Sequence, residues 1–326
     1  MRTSFTDLIG CRLPIQQAGF DSLNTELAAA VSKVGGLGMI GAPLVTADAL
    51  AAGFDKIRET TGAPVAVNFA SPFFELPRDR AALDTAIERG VMVEFFYGDP
   101  DGEIIQRIHD GGSLASWQVG SRAEALQAVE LGCDMVVVQG TEAGGHVRGR
   151  SGLIPLLSEV VDRVEVPVIA AGGISTPRAL AAVLAAGAAG ARLGTSLAAS
   201  QEADFHIEMK QAMVGASGED TVYGETFSAM WPDAPHRVLR SAIDAVGQVE
   251  EPTVVVMEFG GEEIDVPRTA GIAPHARTKG NIEAMALFAG EGVGSITAIR
   301  PAAEIVRDMV DGARDLLRAA AAAADA

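Results

Sequence analysis

One feature constrains this chain more than any other: a regular alternation. Eight short apolar runs, rich in Val and Ile or in Gly and Ala, recur from residue 14 to residue 195. They read PIQQA (14–18), GLGMIG (36–41), VAVNF (65–69), VMVEFF (91–96), SLASWQ (113–118), MVVVQG (135–140), PVIAAGG (167–173) and GARLGT (190–195). Most are followed by a stretch with apolar residues at i, i+3 and i+4, such as SRAEALQAVELG (121–132) and TPRALAAVLAAG (176–187). Helix punctuation agrees. Ser121 precedes Glu124 in a capping box, Thr176 precedes Pro177, and Gly132 and Gly187 stand where helices should stop. Strand then helix, repeated at spacings of about 22–30 residues, is the pattern of an α/β protein with a (β/α)8 TIM barrel. An open doubly wound sheet would want a G-x-G-x-x-G turn after its first strand, and PIQQAGF has none.

The alternation stops after residue 200. ADFHIEMKQAMVGA and HRVLRSAIDAVGQ read as helices, YGETFSAMWPDAP between them is irregular, and 251–280 reads as polar loop. Helical pattern returns with NIEAMALFAG and PAAEIVRDMVDGARDLLRAA, and the end, LLRAAAAAADA, reads as a helix fraying into low complexity. The expectation is a barrel over 1–200, completed by 291–326. Residues 201–290 form a mostly helical lid or substrate subdomain, inserted between strand 8 and the closing helix, over the C-terminal mouth.

Charge and cysteine content narrow the partners. A formal net charge of −18 argues against nucleic acid and against an anionic membrane surface. The two cysteines, Cys11 and Cys133, have no metal-like spacing and suit a reducing compartment. No signal-peptide core opens the sequence, and no apolar run reaches membrane-spanning length. The reading is a cytoplasmic protein with no metal site, and the number of copies is left open.

In a barrel, chemistry gathers where strands end. Gln17, Asn68, Gln118 and Gln139 stand in or just beyond apolar strands. Buried amides need partners, and four at one mouth suggest a ligand with many donors and acceptors. The glycine loops after strands 7 and 8, with Gly172, Gly173 and Gly194, offer backbone N–H groups at helix starts, the usual phosphate site of this class. Phosphate plus amides suits flavin mononucleotide, FMN. A bare sugar phosphate on a flavin-free barrel would satisfy the loops but leave the amides underused.

One histidine stands apart. In VVVQGTEAGGHVRG (136–149), His146 follows strand 6 behind Gly144 and Gly145. Glycines there let a ligand approach, and imidazole is the side chain suited to take a proton near neutrality. Glu142 reads as structural or as orienting a neighbour. His206, His236 and His275 lie in the insertion as lid contacts, and His109 reads as solvated on a helix.

These motifs resemble the nitronate monooxygenases, formerly called 2-nitropropane dioxygenases. PIQQAGF is similar to that family's opening strand, AVNF to its third-strand asparagine, and VVVQGTEAGGHVRG to its histidine motif. VPVIAAGGI and GARLGTSLAASQEA resemble its phosphate loops, and MWPDAPHRVLR and GNIEAMALFAGEGVG its later segments. The resemblance spans nearly the whole chain. It implies FMN contacts at Gly19, Phe20, Asn68, Gln118, Gln139, Gly144, Gly145, Ala171, Gly172, Gly173, Gly194 and Thr195. It also implies His146 as base on, or anchor of, a small nitronate or nitroalkane substrate, with O2 as co-substrate and a carbonyl compound and nitrite as products. Departures lie near that ligand. Gly19 and Phe20 replace a proline and a methionine, EFFYG replaces S-F-H-F-G, and WQVG lacks a frequent lysine. NADH:quinone reductases and flavin-dependent enoyl-acyl carrier protein reductases share the barrel, so an NAD(P)H-dependent reductase is the alternative.

Overall fold

The computed structural model describes residues 1–259 and 262–324. Eight parallel strands form the barrel: β1 (Ile15–Gln17), β2 (Gly38–Gly41), β3 (Val65–Ala70), β4 (Met92–Phe96), β5 (Leu114–Val119), β6 (Met135–Gln139), β7 (Val168–Ala171) and β8 (Gly190–Leu193). Each falls inside or within one residue of its apolar run. Neighbours pair in chain order, β8 returns to pair with β1, and β1 meets β2 through Gln17 N–Leu37 O and Leu37 N–Ile15 O, both 2.9 Å. The ring is closed.

Both faces of every strand are buried, which is why the strands read as apolar runs without polar alternation. The period of two still sorts them. Val67, Phe69, Val93, Phe95, Trp117 and Val119 face the surrounding helices in the larger core. Met39, Ala66, Met92, Met135, Val137 and Ile169 fill the barrel interior. Phe5 and Ile9 join that inner cluster from the helix Ser4–Ile9, which plugs the N-terminal end and which the alternation did not reveal.

The helix signals hold with one change. Ser121 Oγ accepts from Glu124 N, but Glu124 returns to Gly120 N and to Arg148 rather than closing the box. Thr176 caps through Ala179 N at 3.1 Å, ahead of Pro177. The closing helix is Ala302–Ala324, packed against the helices Thr25–Val34 and Pro177–Ala185. It runs on where fraying was expected, as a polyalanine stretch of high helix propensity should. Residues 325–326 of that tail lie outside the described residues.

The insertion differs from expectation. It holds the helices Ile207–Gly215 and Arg240–Gly247, but strands take more of it: Thr221–Gly224, His236–Leu239, Thr253–Phe259, Glu262–Pro267 and Lys279–Gly280. These form two three-stranded sheets, one of which includes the two-residue strand Gly145–His146. The segment 251–280, read as loop, holds an antiparallel pair, Thr253–Phe259 against Glu262–Pro267, and is irregular beyond it as far as Thr278. The β-branched run at 253–256 favours strand over both loop and helix. Residues 260–261 within that loop reading lie outside the described residues. No helix of the described residues is long and apolar enough to cross a membrane.

Candidate active site

A cavity of about 390 Å³ opens at the C-terminal end of the strands, within the size range of pockets that take small organic ligands. Barrel loops line one side. Residues of the insertion, including Phe205, Met230, Trp231, Met257 and His275, line the other. The residues that the family resemblance names, the twelve cofactor contacts from Gly19 to Thr195 and His146, all border this one cavity. Gln17 does not. Its side chain is spent on the Met39 backbone, Nε2 donating to O at 2.8 Å and Oε1 accepting from N at 3.3 Å.

At the end formed by β7 and β8 the wall is backbone. Gly172 has φ +118°, a conformation side chains resist, and an added Cβ would lie 3.1 Å from Gly140 O. Gly194 precedes the helix Thr195–Ala198, and a Cβ there would meet only Ala18, at 3.8 Å. Among the described residues, the amides of Gly172, Gly173, Gly194 and Thr195 donate to no protein acceptor. Bare amides at a helix start are the groups that hold an anion.

At the other end the wall is side chains. His146 is fixed by its backbone: Gln139 Nε2 donates to His146 O at 2.9 Å, Gln139 Oε1 accepts from Arg148 N at 3.3 Å, and His146 pairs with His236 across a short antiparallel ladder. Its ring stacks on Trp231 with centroids 4.1 Å apart, and Phe288 and His236 lie at 5.5 and 5.4 Å. Nε2 of His146 is buried with no hydrogen-bond partner among the described residues. Burial pushes the imidazole down to about 3, with His236 adding to the effect, so the ring is neutral across ordinary pH. His236 is itself buried and held below its usual range. Its Nε2 accepts from Phe227 N at 3.0 Å, which leaves Nδ1 as donor to Ala234 O.

The two glycines before His146 serve different ends. A Cβ on Gly144 would strike Gly290 N at 2.4 Å, so this glycine permits chain-on-chain packing and not ligand approach. A Cβ on Gly145 would meet nothing within 4 Å. Glu142 is structural, as expected: both its oxygens accept from Leu153 N, at the start of the helix Leu153–Val161. His109 is not simply solvated, since Nε2 lies 2.9 Å from Asp134 Oδ2.

Between the two ends lies a polar group that the strand-by-strand reading missed. Arg192 on β8 reaches Glu94 on β4, Gln118 on β5 and Gln16 on β1. Glu94 in turn accepts from Asn68 Nδ2 at 2.9 Å and Ser116 Oγ at 3.4 Å. So two of the four amides answer a buried ion pair as well as the cavity. Oδ1 of Asn68 and Nε2 of Gln118 make no hydrogen bond within the described protein and remain available. The sequence signal was present: an Arg in GARLG and a Glu in VMVEFF are charges inside buried strands, and buried charges come in pairs.

Known proteins bear on this site. The family model described as "Nitronate monooxygenase" matches residues 2–312. A curated relative, "(3aS,4S,5R,7aS)-5-hydroxy-7a-methyl-1-oxo-octahydro-1H-indene-4-carboxyl-CoA dehydrogenase" of Rhodococcus jostii, is 32% identical over 77% of this chain and 68% of its own. Among solved structures, FabK from Thermotoga maritima superposes with a TM-score of 0.80 at 27% identity, covering 99% of both chains. Nitroalkane oxidase from Streptomyces ansochromogenes does so with a TM-score of 0.75 at 27% identity, over 98% of this chain and 99% of that one.

Proposed function

This chain belongs to the nitronate monooxygenase family of flavin-dependent oxidoreductases, and from that membership we propose that it uses FMN and O2 to oxidise alkyl nitronates to a carbonyl compound and nitrite. The observation that carries the reading is the division of one cavity into two unlike ends. Bare amides at Gly172, Gly173, Gly194 and Thr195 suit a phosphate, and the spare amide groups of Asn68 and Gln118 suit a ring with donors and acceptors on its edge. These residues fit FMN, whose one phosphate matches the one backbone-lined end of the cavity. When bound, the flavin supplies the electron acceptor for the substrate and the electron donor for O2.

The chain's own residues do the rest. His146 offers one unpaired nitrogen in an aromatic wall, a hydrogen-bonding point for a nitro or nitronate oxygen. A ring held neutral down to about pH 3 is a poor proton acceptor and a good neutral partner. An anion beside it would favour its charged form and strengthen the contact. We therefore read His146 as an anchor first and a base second. Trp231 and Phe288 keep water from that point.

The test is anaerobic mixing of the yellow protein with propionate 3-nitronate, and separately with NADH. Bleaching of the flavin by the nitronate is expected; bleaching by NADH alone would overturn the reading. That second outcome belongs to an FMN-dependent NAD(P)H:quinone or enoyl-thioester reductase. One observation favours it: the relative at 32% identity carries a CoA thioester in its name, and Leu44, Met230 and Ile264 give the cavity an exposed apolar rim that an acyl chain could follow.

A further inference from the structure

Arg192 has no role in the reading above, yet it is placed where charge would matter. It is 5% exposed and Glu94 is 0% exposed, so both charges are withdrawn from water. A guanidinium has five N–H donors. Nε donates to Gln16, Nη2 to Gln16 and Glu94, and Nη1 to Gln118, which leaves one N–H on Nη1 without a protein acceptor among the described residues. Arg192 borders the cavity and Glu94 does not. The positive member of the pair therefore lies nearer the ligand, flanked by Asn68 and Gln118, and its own strand runs directly into Gly194 and Thr195.

We propose that Arg192 and Glu94 form a charge pair that sets the reduction potential of the bound flavin. Arg192 stabilises the negative charge gained on reduction, and Glu94 limits how strongly it does so. The inference rests on the flavin reading of the preceding subsection. The physical ground is Coulomb's law in a low-dielectric setting: the nearer charge dominates, and the farther one of opposite sign partly cancels it. Arg192 is a positioning residue for charge and takes no part in bond making.

The sign of each change follows. In Glu94→Gln the amide still accepts from Arg192, but the cation is unopposed, so the potential rises. In Arg192→Gln the carboxylate is left alone and the potential falls most. The double variant loses the nearer positive and the farther negative charge, so its potential falls less. In Arg192→Lys the charge stays and the potential remains near that of the parent. Removing one member of a buried ion pair is costly to the fold, and the double variant leaves neither charge unpaired, so it stands in where a single variant fails to fold.

The measurement is spectroelectrochemical titration of the flavin in each purified holoprotein, with circular dichroism for the fold. Each single charge change should move the ratio of oxidised to reduced flavin at least about tenfold, near 30 mV for a two-electron couple, in opposite directions. Shifts of the same sign, or none, in variants that fold and stay yellow would overturn the proposal while leaving the flavin reading intact. A parent protein that binds no flavin would instead overturn the flavin reading. A double variant above the parent in potential would also sink the charge-pair assignment, since the farther charge would then dominate.

Discussion

The two ends of the cavity are made of different material. At β7 and β8 the wall is main chain, and at His146 it is side chains, most of them borrowed from the insertion. Main chain offers the same N–H groups whatever the sequence, provided glycine keeps it bare. Side chains can be exchanged one at a time. The first end is suited to holding a constant group and the second to setting what reacts. Proteins similar to this chain include both a CoA dehydrogenase and a nitroalkane oxidase.

If the division is real, charge at the backbone end should remove the cofactor and leave the far wall alone. Gly194→Asp is the cleaner variant, because its Cβ has room, whereas any side chain at Gly172 is strained by φ +118°. Two like charges about 4 Å apart at an effective dielectric near 20 repel by about 4 kcal/mol, or about 10³ in affinity. FMN released on denaturation, measured by chromatography, should fall from about one per chain to none, with circular dichroism unchanged. A folded variant that stays yellow would move the phosphate elsewhere.

The side-chain end should behave oppositely. His146→Ala should keep flavin and lose turnover, by about 10²-fold on a neutral nitroalkane, the low end for a general base because the ring is so weakly basic. On a preformed nitronate the loss should be nearer 10-fold, the cost of one hydrogen bond to a charged group. Initial rates on the two substrate forms decide it, and an equal loss on both would make His146 an anchor alone. The pH profile carries a second check. With the ring held near 3, the free enzyme should show no limb in the usual histidine range.

Trp231→Ala should give a smaller effect, about 2–10-fold in KM, the worth of one aromatic contact. It should also let the His146 ring back toward its normal basicity, by relieving its burial. NMR titration of the imidazole reads this directly, and an unmoved pKa would mean that the rest of the wall is sufficient. A separate effect is on the fold. His146 and His236 are both held below their unfolded values, so the unfolded chain binds more protons as pH falls from about 6.5 toward 3. Stability should decline over that window, and less so in His146→Ala. Urea midpoints at a series of pH values measure it, and a flat profile would count against the buried, neutral ring.

Much of this was legible in the chain. The eight strands appear as apolar runs because each is covered on both faces, and the glycine loops appear because only glycine leaves backbone bare. The insertion was harder. TVVVMEF at 253–259 and EEIDVP at 262–267, with two glycines between them in the sequence, carry a hairpin pattern, but polar neighbours at 250–251 and 262–265 disguised it as loop. Trp231 lies in a motif that carries the family resemblance, but its place beside His146 was not legible: an indole in an irregular segment gives no period to read. The amides were half legible. Gln17 and Gln139 are spent on backbone, and nothing in a single strand shows which side chain across a barrel will claim an amide.

The contact between Arg192 and Glu94 has one more consequence, for how the chain is assembled. β4 and β8 stand on opposite sides of the ring, and the three strands β5, β6 and β7 lie between them in sequence. A nascent chain that has made β1 through β7 already carries Glu94 on an inward face, with only Asn68 and Ser116 to meet it. Its counter-charge comes last. A fragment ending before Gly190 would hold seven of the eight strands and a buried carboxylate without its cation, so seven strands should have little of the stability of eight. The barrel is tied across its diameter, and it should close in one cooperative event instead of accumulating stave by stave.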